Sequence, residues 1–135
     1  MNRFLFDSSV WIDFLRGKDT PQTSLLESEL MAGDPWICPV IIQEVLQGIR
    51  DDKDYAKVKR VLTSILQPEW SPLDAAILAA DIYRKLRRQG ITIRRSNDCL
   101  IAAYALHFDL TLVDSDIDFE KIAQGAGMKR YLPAN

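Results

Sequence analysis

Short apolar runs alternate along the chain with longer segments in which apolar residues recur every three or four positions. Phe4-Leu5-Phe6 is a compact apolar run and predicts a first strand. A helix is expected from about Ser9 to Arg16, with Gly17 placed to end it. Thr20 before Pro21 has the form of an N-cap and first helical residue, opening a second helix through Leu25, Leu26 and Leu30 to Gly33. Trp36-Ile37-Cys38 predicts a short strand, and Pro39 the start of a helix carrying Ile41, Ile42, Glu44, Val45 and Ile49. A polar helix follows from Asp52 to Leu66, with Val58, Val61, Leu62 and Ile65 on one face.

Ser71-Pro72-Leu73-Asp74 combines a cap, a proline at the first helical position and an acid in the first turn. The helix it opens shows an apolar stripe of Leu73, Ile77, Ala80, Tyr83 and Leu86, and Gly90 closes it. Ser96 or Asn97 is expected to cap a helix from Asp98 to His107, followed by a strand at Leu110–Val113. A short helix from Phe119 to Gln124 and an edge strand at Met128–Leu132 complete the pattern. Strands alternating with helices argue for an α/β fold around a mostly parallel sheet.

The 135 residues fit a single domain, residues 1–135, with an ordinary soluble composition of 47% apolar and 27% charged residues. No apolar run approaches the length of a membrane span. The start, Met1-Asn2-Arg3, lacks the regions of a signal peptide, so a cytoplasmic location is expected. Two cysteines form no disulfide framework, and a single histidine, His107, argues against a zinc site and against a Ser/His/Asp hydrolase. A net charge of −2 gives no general attraction for polyanions, so any such binding must use a local basic patch.

Four acids border these apolar segments. Asp7 ends the first run, Glu44 lies within Val40–Leu46, Asp98 opens Cys99–Ala103, and Asp116 follows Leu112-Val113. A carboxylate beside buried surface must be paired, protonated or bound to a cation. Two of them about 4 Å apart repel by roughly 4 kcal/mol at an effective dielectric near 20. If the fold gathers the four, a hard divalent cation is the economical remedy, and in α/β sheets the carboxyl ends of strands are where such sites form. Phosphodiester chemistry dependent on Mg²⁺ or Mn²⁺ is the reaction class this favours. Asp114, Asp116 and Asp118 alternate like the start of a calcium loop, but Phe119 and Gly125 stand where an EF-hand needs glycine and glutamate.

Phe6-Asp7-Ser8-Ser9-Val10-Trp11-Ile12-Asp13, Ile42-Gln43-Glu44-Val45, Asn97-Asp98-Cys99-Leu100-Ile101-Ala102-Ala103 and Leu112-Val113-Asp114-Ser115-Asp116-Ile117-Asp118-Phe119 resemble the ordered motifs of the PIN-domain family. The likeness runs from Phe4 to about Ile122, and the contexts of Gly48 and Ala102-Ala103 are similar to VapC-type toxins, the ribonuclease halves of toxin–antitoxin pairs. The resemblance implies a PIN-like three-layer fold with a central, mostly parallel sheet of four or five strands flanked by helices. It implies a Mg²⁺- or Mn²⁺-dependent endoribonuclease that acts on RNA, forms a homodimer or a dimer-based hetero-oligomer, and is silenced by a cognate VapB-like antitoxin. Asp7, Glu44, Asp98 and Asp116 would be its catalytic quartet, with Asp7, Asp98 and Asp116 on the metal. Ser8, Ser9, Asn97 and Asp118 would support them. Asp118 competes with Asp116 for the fourth ligand position, and Ser8 and Asp114 depart from the residues common at their places in the family.

Arg84, Lys85, Arg87, Arg88, Arg94 and Arg95 form the main basic cluster, uninterrupted by acids, and are candidate contacts for an RNA backbone. Trp11, Phe14 and Leu15 with Leu25, Leu26 and Leu30 offer two amphipathic helices that fit either a core or a groove for an antitoxin helix. The alternatives to an RNA-cleaving toxin are a DNA-directed or structure-specific nuclease using the same acids, and a PIN-like scaffold that binds RNA or protein without cleavage.

Overall fold

The computed structural model describes residues 3–134, in which the seven helices follow one another in the expected order but only two of the four expected strands form. They are β1 (Phe4–Phe6), α1 (Ser8–Leu15), α2 (Pro21–Ala32), α3 (Pro39–Gln47), α4 (Asp52–Ser64), α5 (Pro72–Arg88), α6 (Ser96–His107), β2 (Thr111–Val113) and α7 (Asp118–Ala126). Polar side chains start most of the helices. Thr20 and Thr23 form a reciprocal capping box on α2, Asp51 accepts from the amides of Lys53 and Asp54, and Ser71 caps α5. Gly90, at φ +80°, follows α5 in the left-handed region where a side chain would be strained.

The sheet is smaller than the four or five strands expected. β1 and β2 pair in parallel, Leu5 opposite Leu112, and they alone form a continuous ladder among the described residues. Single parallel bridges extend this pair on both sides: Leu5 to Trp36 and Trp36 to Leu66 on one, Leu112 to Arg130 on the other. The segments therefore run Leu66, Trp36, β1, β2, Arg130 in one parallel direction. The expected strands at 36–38 and 128–132 are reduced to single bridging residues, and the chain at Leu66, expected as helix, turns into a bridge after α4 ends at Ser64. So short a sheet is secured by burial. Leu5, Phe6, Leu112 and Val113 are fully enclosed, each worth about 1.5–3 kcal/mol against exposure.

One apolar cluster links Leu5 to Met128 through every helix named above except α5's outer face. On α5 the expected stripe is corrected: Ala75, Ile82 and Leu86 are buried, whereas Leu73 and Ile77 are 69% and 52% exposed and Ala80 is also exposed. The helix turns the 75-78-82-86 face to α6 and α7, leaving a second apolar stripe outward. Close approach of α7 to α5 depends on Gly125, where an added Cβ would lie 2.3 Å from a Leu86 methyl. On α6 the expected Ser96 or Asn97 cap is also corrected. Both residues lie inside the helix, and Arg95 occupies the N-cap with no side-chain capping bond.

Candidate functional site

β1 and β2 end side by side, so the residues that follow them are delivered to one edge of the molecule. Asp7 leaves β1 and at once caps α1, its Oδ2 accepting from the Ser9 amide at 3.1 Å and the Ser9 hydroxyl at 2.7 Å. Ser9 Oγ in turn accepts from the Ser115 amide at 3.1 Å, tying the loop after β2 to the start of α1. Ser8 donates its hydroxyl to Glu44 Oε1 at 3.2 Å, which brings α3 to the same place. α3 packs on both α1 and α6, and α6 presents Asp98 in its first turn.

The four predicted acids thus fall within electrostatic reach of one another. Burial pushes the Asp98 carboxyl up to about 7, with Arg95 acting against the rise and the charges of Asp7, Asp116 and Glu44 adding to it. Burial also raises Asp7, opposed by the Ser9 hydrogen bonds and reinforced by Glu44. Asp7 and Asp98 are 3% and 2% exposed, which makes their ionised forms costly without a cation. Asp98 Oδ2 is buried and accepts no hydrogen bond. Hard oxygen donors with one left unsatisfied are a fitting set for Mg²⁺ or Mn²⁺.

As the side chains stand, however, no three acids among the described residues are gathered to grip one ion. Asp7 is turned to Ser9, and a guanidinium stands where a shared cation was expected. Arg95 donates from Nη2 to Asp116 Oδ2 and holds Nε 3.6 Å from Asp98 Oδ2.

The loop after β2 is built by its own acids. Asp114 Oδ1 accepts from the Asp116 amide at 3.1 Å, and Asp116 Oδ1 from the Asp118 amide at 3.0 Å. Asp118 is bound by Arg94 at 2.7 Å, which lowers its carboxyl. Asp114, outside the predicted site set, proves the most enclosed member of the loop. Its side chain is fully buried and is forked by Arg130, Nε to Oδ2 at 2.8 Å and Nη2 to Oδ1 at 3.0 Å. A signal lay in its position directly after a strand, but its partner sits sixteen residues on. Asn97 is exposed and lines a shallow groove with Tyr83, Arg84 and Leu100.

The basic cluster divides. Arg94 and Arg95 face the acids, whereas Arg84, Lys85, Arg87 and Arg88 are exposed on α5, Arg87 lying over the Tyr83 ring. A separate apolar groove of about 440 Å³ is lined by Trp11, Phe14, Leu15, Leu30, Val58 and Val61, among others, from α1, α2 and α4. Trp11 Nε1 is buried without a hydrogen-bond partner.

The PIN domain family model matches residues 4–125. The chain is 33% identical over 126 residues to the VapC ribonuclease Mb1587 of Mycobacterium bovis and to ribonuclease VapC11 of Mycobacterium tuberculosis. Each match covers 89% of this chain and 91% of the relative. Among solved structures, it resembles DNA-bound VapBC from Salmonella typhimurium with a TM-score of 0.76 at 20% identity, covering 97% of this chain and 98% of the other. VapBC2 from Rickettsia felis, bound to a promoter DNA fragment, gives 0.74 at 16% identity over 95% and 96%.

Proposed function

From the premise that this chain belongs to the PIN-domain family, alongside the VapC ribonucleases, we propose that it is the toxin of a toxin–antitoxin pair, a Mg²⁺- or Mn²⁺-dependent endoribonuclease. The observation that carries the reading is a buried Asp98 oxygen left unsatisfied on α6, in a carboxyl that feels the charges of Asp7 and Asp116, which follow the two parallel strands, and of Glu44 on α3. Asp7, Asp98 and Asp116 would hold the metal. Glu44, steadied by the Ser8 hydroxyl, supports it from α3. When bound, the divalent ion supplies Lewis-acid activation of water and neutralises charge on the scissile phosphate. Ser9 fixes the Asp7 rotamer and links it to the loop bearing Asp116. Asn97, beside Asp98 in the first turn of α6, would support the site, and Arg94 with Asp118 would brace its rim.

Arg84, Arg87 and Arg88 give α5 a positive edge suited to an RNA backbone. The groove beside Trp11 and Phe14 suits an amphipathic antitoxin helix. The exposed Leu73–Ile77 stripe suits a second copy of the chain. Among the described residues no helix is long and apolar enough to cross a membrane.

The deciding experiment incubates the purified chain with single-stranded RNA and with DNA, in Mn²⁺ and in EDTA. RNA should be cut in Mn²⁺ alone, and Asp98→Asn should lower kcat/KM by about a hundredfold or more. Cutting that survives EDTA or Asp98→Asn would overturn the assignment. Preferential cutting of DNA would transfer the same site to a DNA-directed nuclease, and binding without cleavage would make it a scaffold.

A further inference from the structure

Arg95 is an unusual residue for its place. A helix N-cap favours a small acceptor side chain, and the positive end of the helix dipole repels a cation. α6 nevertheless begins at Arg95, which makes no side-chain capping bond. Its guanidinium instead spans two acids from different elements, Asp98 of α6 and Asp116 of the loop after β2. The fit is incomplete at one end, since Asp98 Oδ2 stays 3.6 Å from Nε and without a hydrogen bond. Arg95 is also half exposed at its side chain, so nothing encloses it in this pose.

Resting on the metal-dependent nuclease reading, we propose that Arg95 is the resident counter-cation of the acidic site, displaced when a divalent ion binds and then free to position a substrate phosphate. In the cation-free protein it offsets the repulsion between Asp98 and Asp116. A divalent ion and the guanidinium compete for the same carboxylate oxygens, so part of the ion's binding energy is spent in moving Arg95. Once displaced, the side chain remains tethered at the mouth of the site by the start of α6, beside Arg94. There a planar, permanently charged fork suits a phosphate oxygen pair.

The test titrates MnCl2 into the purified full chain by calorimetry, comparing wild type with Arg95→Gln and Arg95→Lys. Removing the competing charge should tighten Mn²⁺ binding in Arg95→Gln by about fivefold, the scale of a half-exposed ion pair. Arg95→Lys, which keeps a cation, should stay near wild type. In RNA cleavage, Arg95→Gln should raise KM by a larger factor than it lowers kcat. Mn²⁺ affinity that is unchanged or weaker in Arg95→Gln would overturn the proposal, as would an unaltered KM. Should that variant fold poorly, the Arg95 Nε–H resonance of the wild-type protein gives the same answer. It should shift on saturation with Mg²⁺, and an unmoved signal would overturn the proposal. Either failure is distinguishable from failure of the nuclease reading, which turns on cleavage lost in Asp98→Asn.

Discussion

Asp98 gathers the electrostatics of the candidate site in one carboxyl group. With its folded value near 7 against an ordinary 3.8, the native protein holds a proton there that the unfolded chain releases above about pH 4. Stability therefore falls as pH rises from about 4 to 7, because over that window the folded state binds the extra proton. Asp7, raised by burial, works in the same direction. Melting in EDTA should show a lower Tm at pH 7.5 than at pH 5.5, and Asp98→Asn should flatten the slope. Saturating Mn²⁺ should flatten it as well, since the ion stabilises the ionised form. A Tm that rises steadily over the same interval would show that Asp98 is not held protonated. The same residue also illustrates what was legible at this scale. Its place before an apolar run marked it as a charge at a buried boundary, but its unsatisfied oxygen depends on neighbours from three other segments.

At the scale of elements, the loop between β2 and α7 is held by the Asp114–Arg130 fork, which joins it to the bridging residue beside Leu112. Arg130 is the nearest thing to a fifth strand, and its cation removes the cost of a carboxylate with no exposed side-chain surface. Arg130→Ala would leave that charge buried and unpaired, at a cost of about 3 kcal/mol. Urea unfolding should register the loss, together with weaker Mn²⁺ binding, because Asp114 also fixes the Asp116 amide. A variant as stable as wild type would mean the pair contributes no net stability. Local signals carried the helices well: Thr20-Pro21, Pro39 and Ser71-Pro72 each mark an observed start. Strand extent was not legible, because the residues at 36, 66 and 130 are single bridges set by tertiary packing rather than by a periodic run. Arg95 at the α6 N-cap escaped prediction for a related reason. Local preference named Ser96 or Asn97, and long-range attraction to Asp116 decided otherwise.

For the whole molecule, α5 is the element that carries two apolar faces, one buried and one exposed. Its periodicity was plain in the sequence, yet the sequence could not say which of two overlapping apolar faces meets the core. The face at Ala75, Ile82 and Leu86 does, and Leu73, Ala76, Ile77 and Ala80 are left outward. That stripe occupies the first half of the helix, whereas Arg84, Arg87 and Arg88 occupy the second. Ile77 and Arg87 are ten residues apart, about 15 Å along the axis, so an interface over the first half leaves the cations open to RNA. A twofold contact through one self-complementary patch is the commonest way such a surface is covered. Sedimentation equilibrium of the purified chain should then show a dimer, and the Leu73→Glu, Ile77→Glu double variant should be monomeric. Both substitutions fall on exposed positions, so the fold should survive, and Mn²⁺ affinity should match wild type because the acids lie on other elements. A wild-type protein that is monomeric at all concentrations, or a double variant that still dimerises, would remove α5 from the interface.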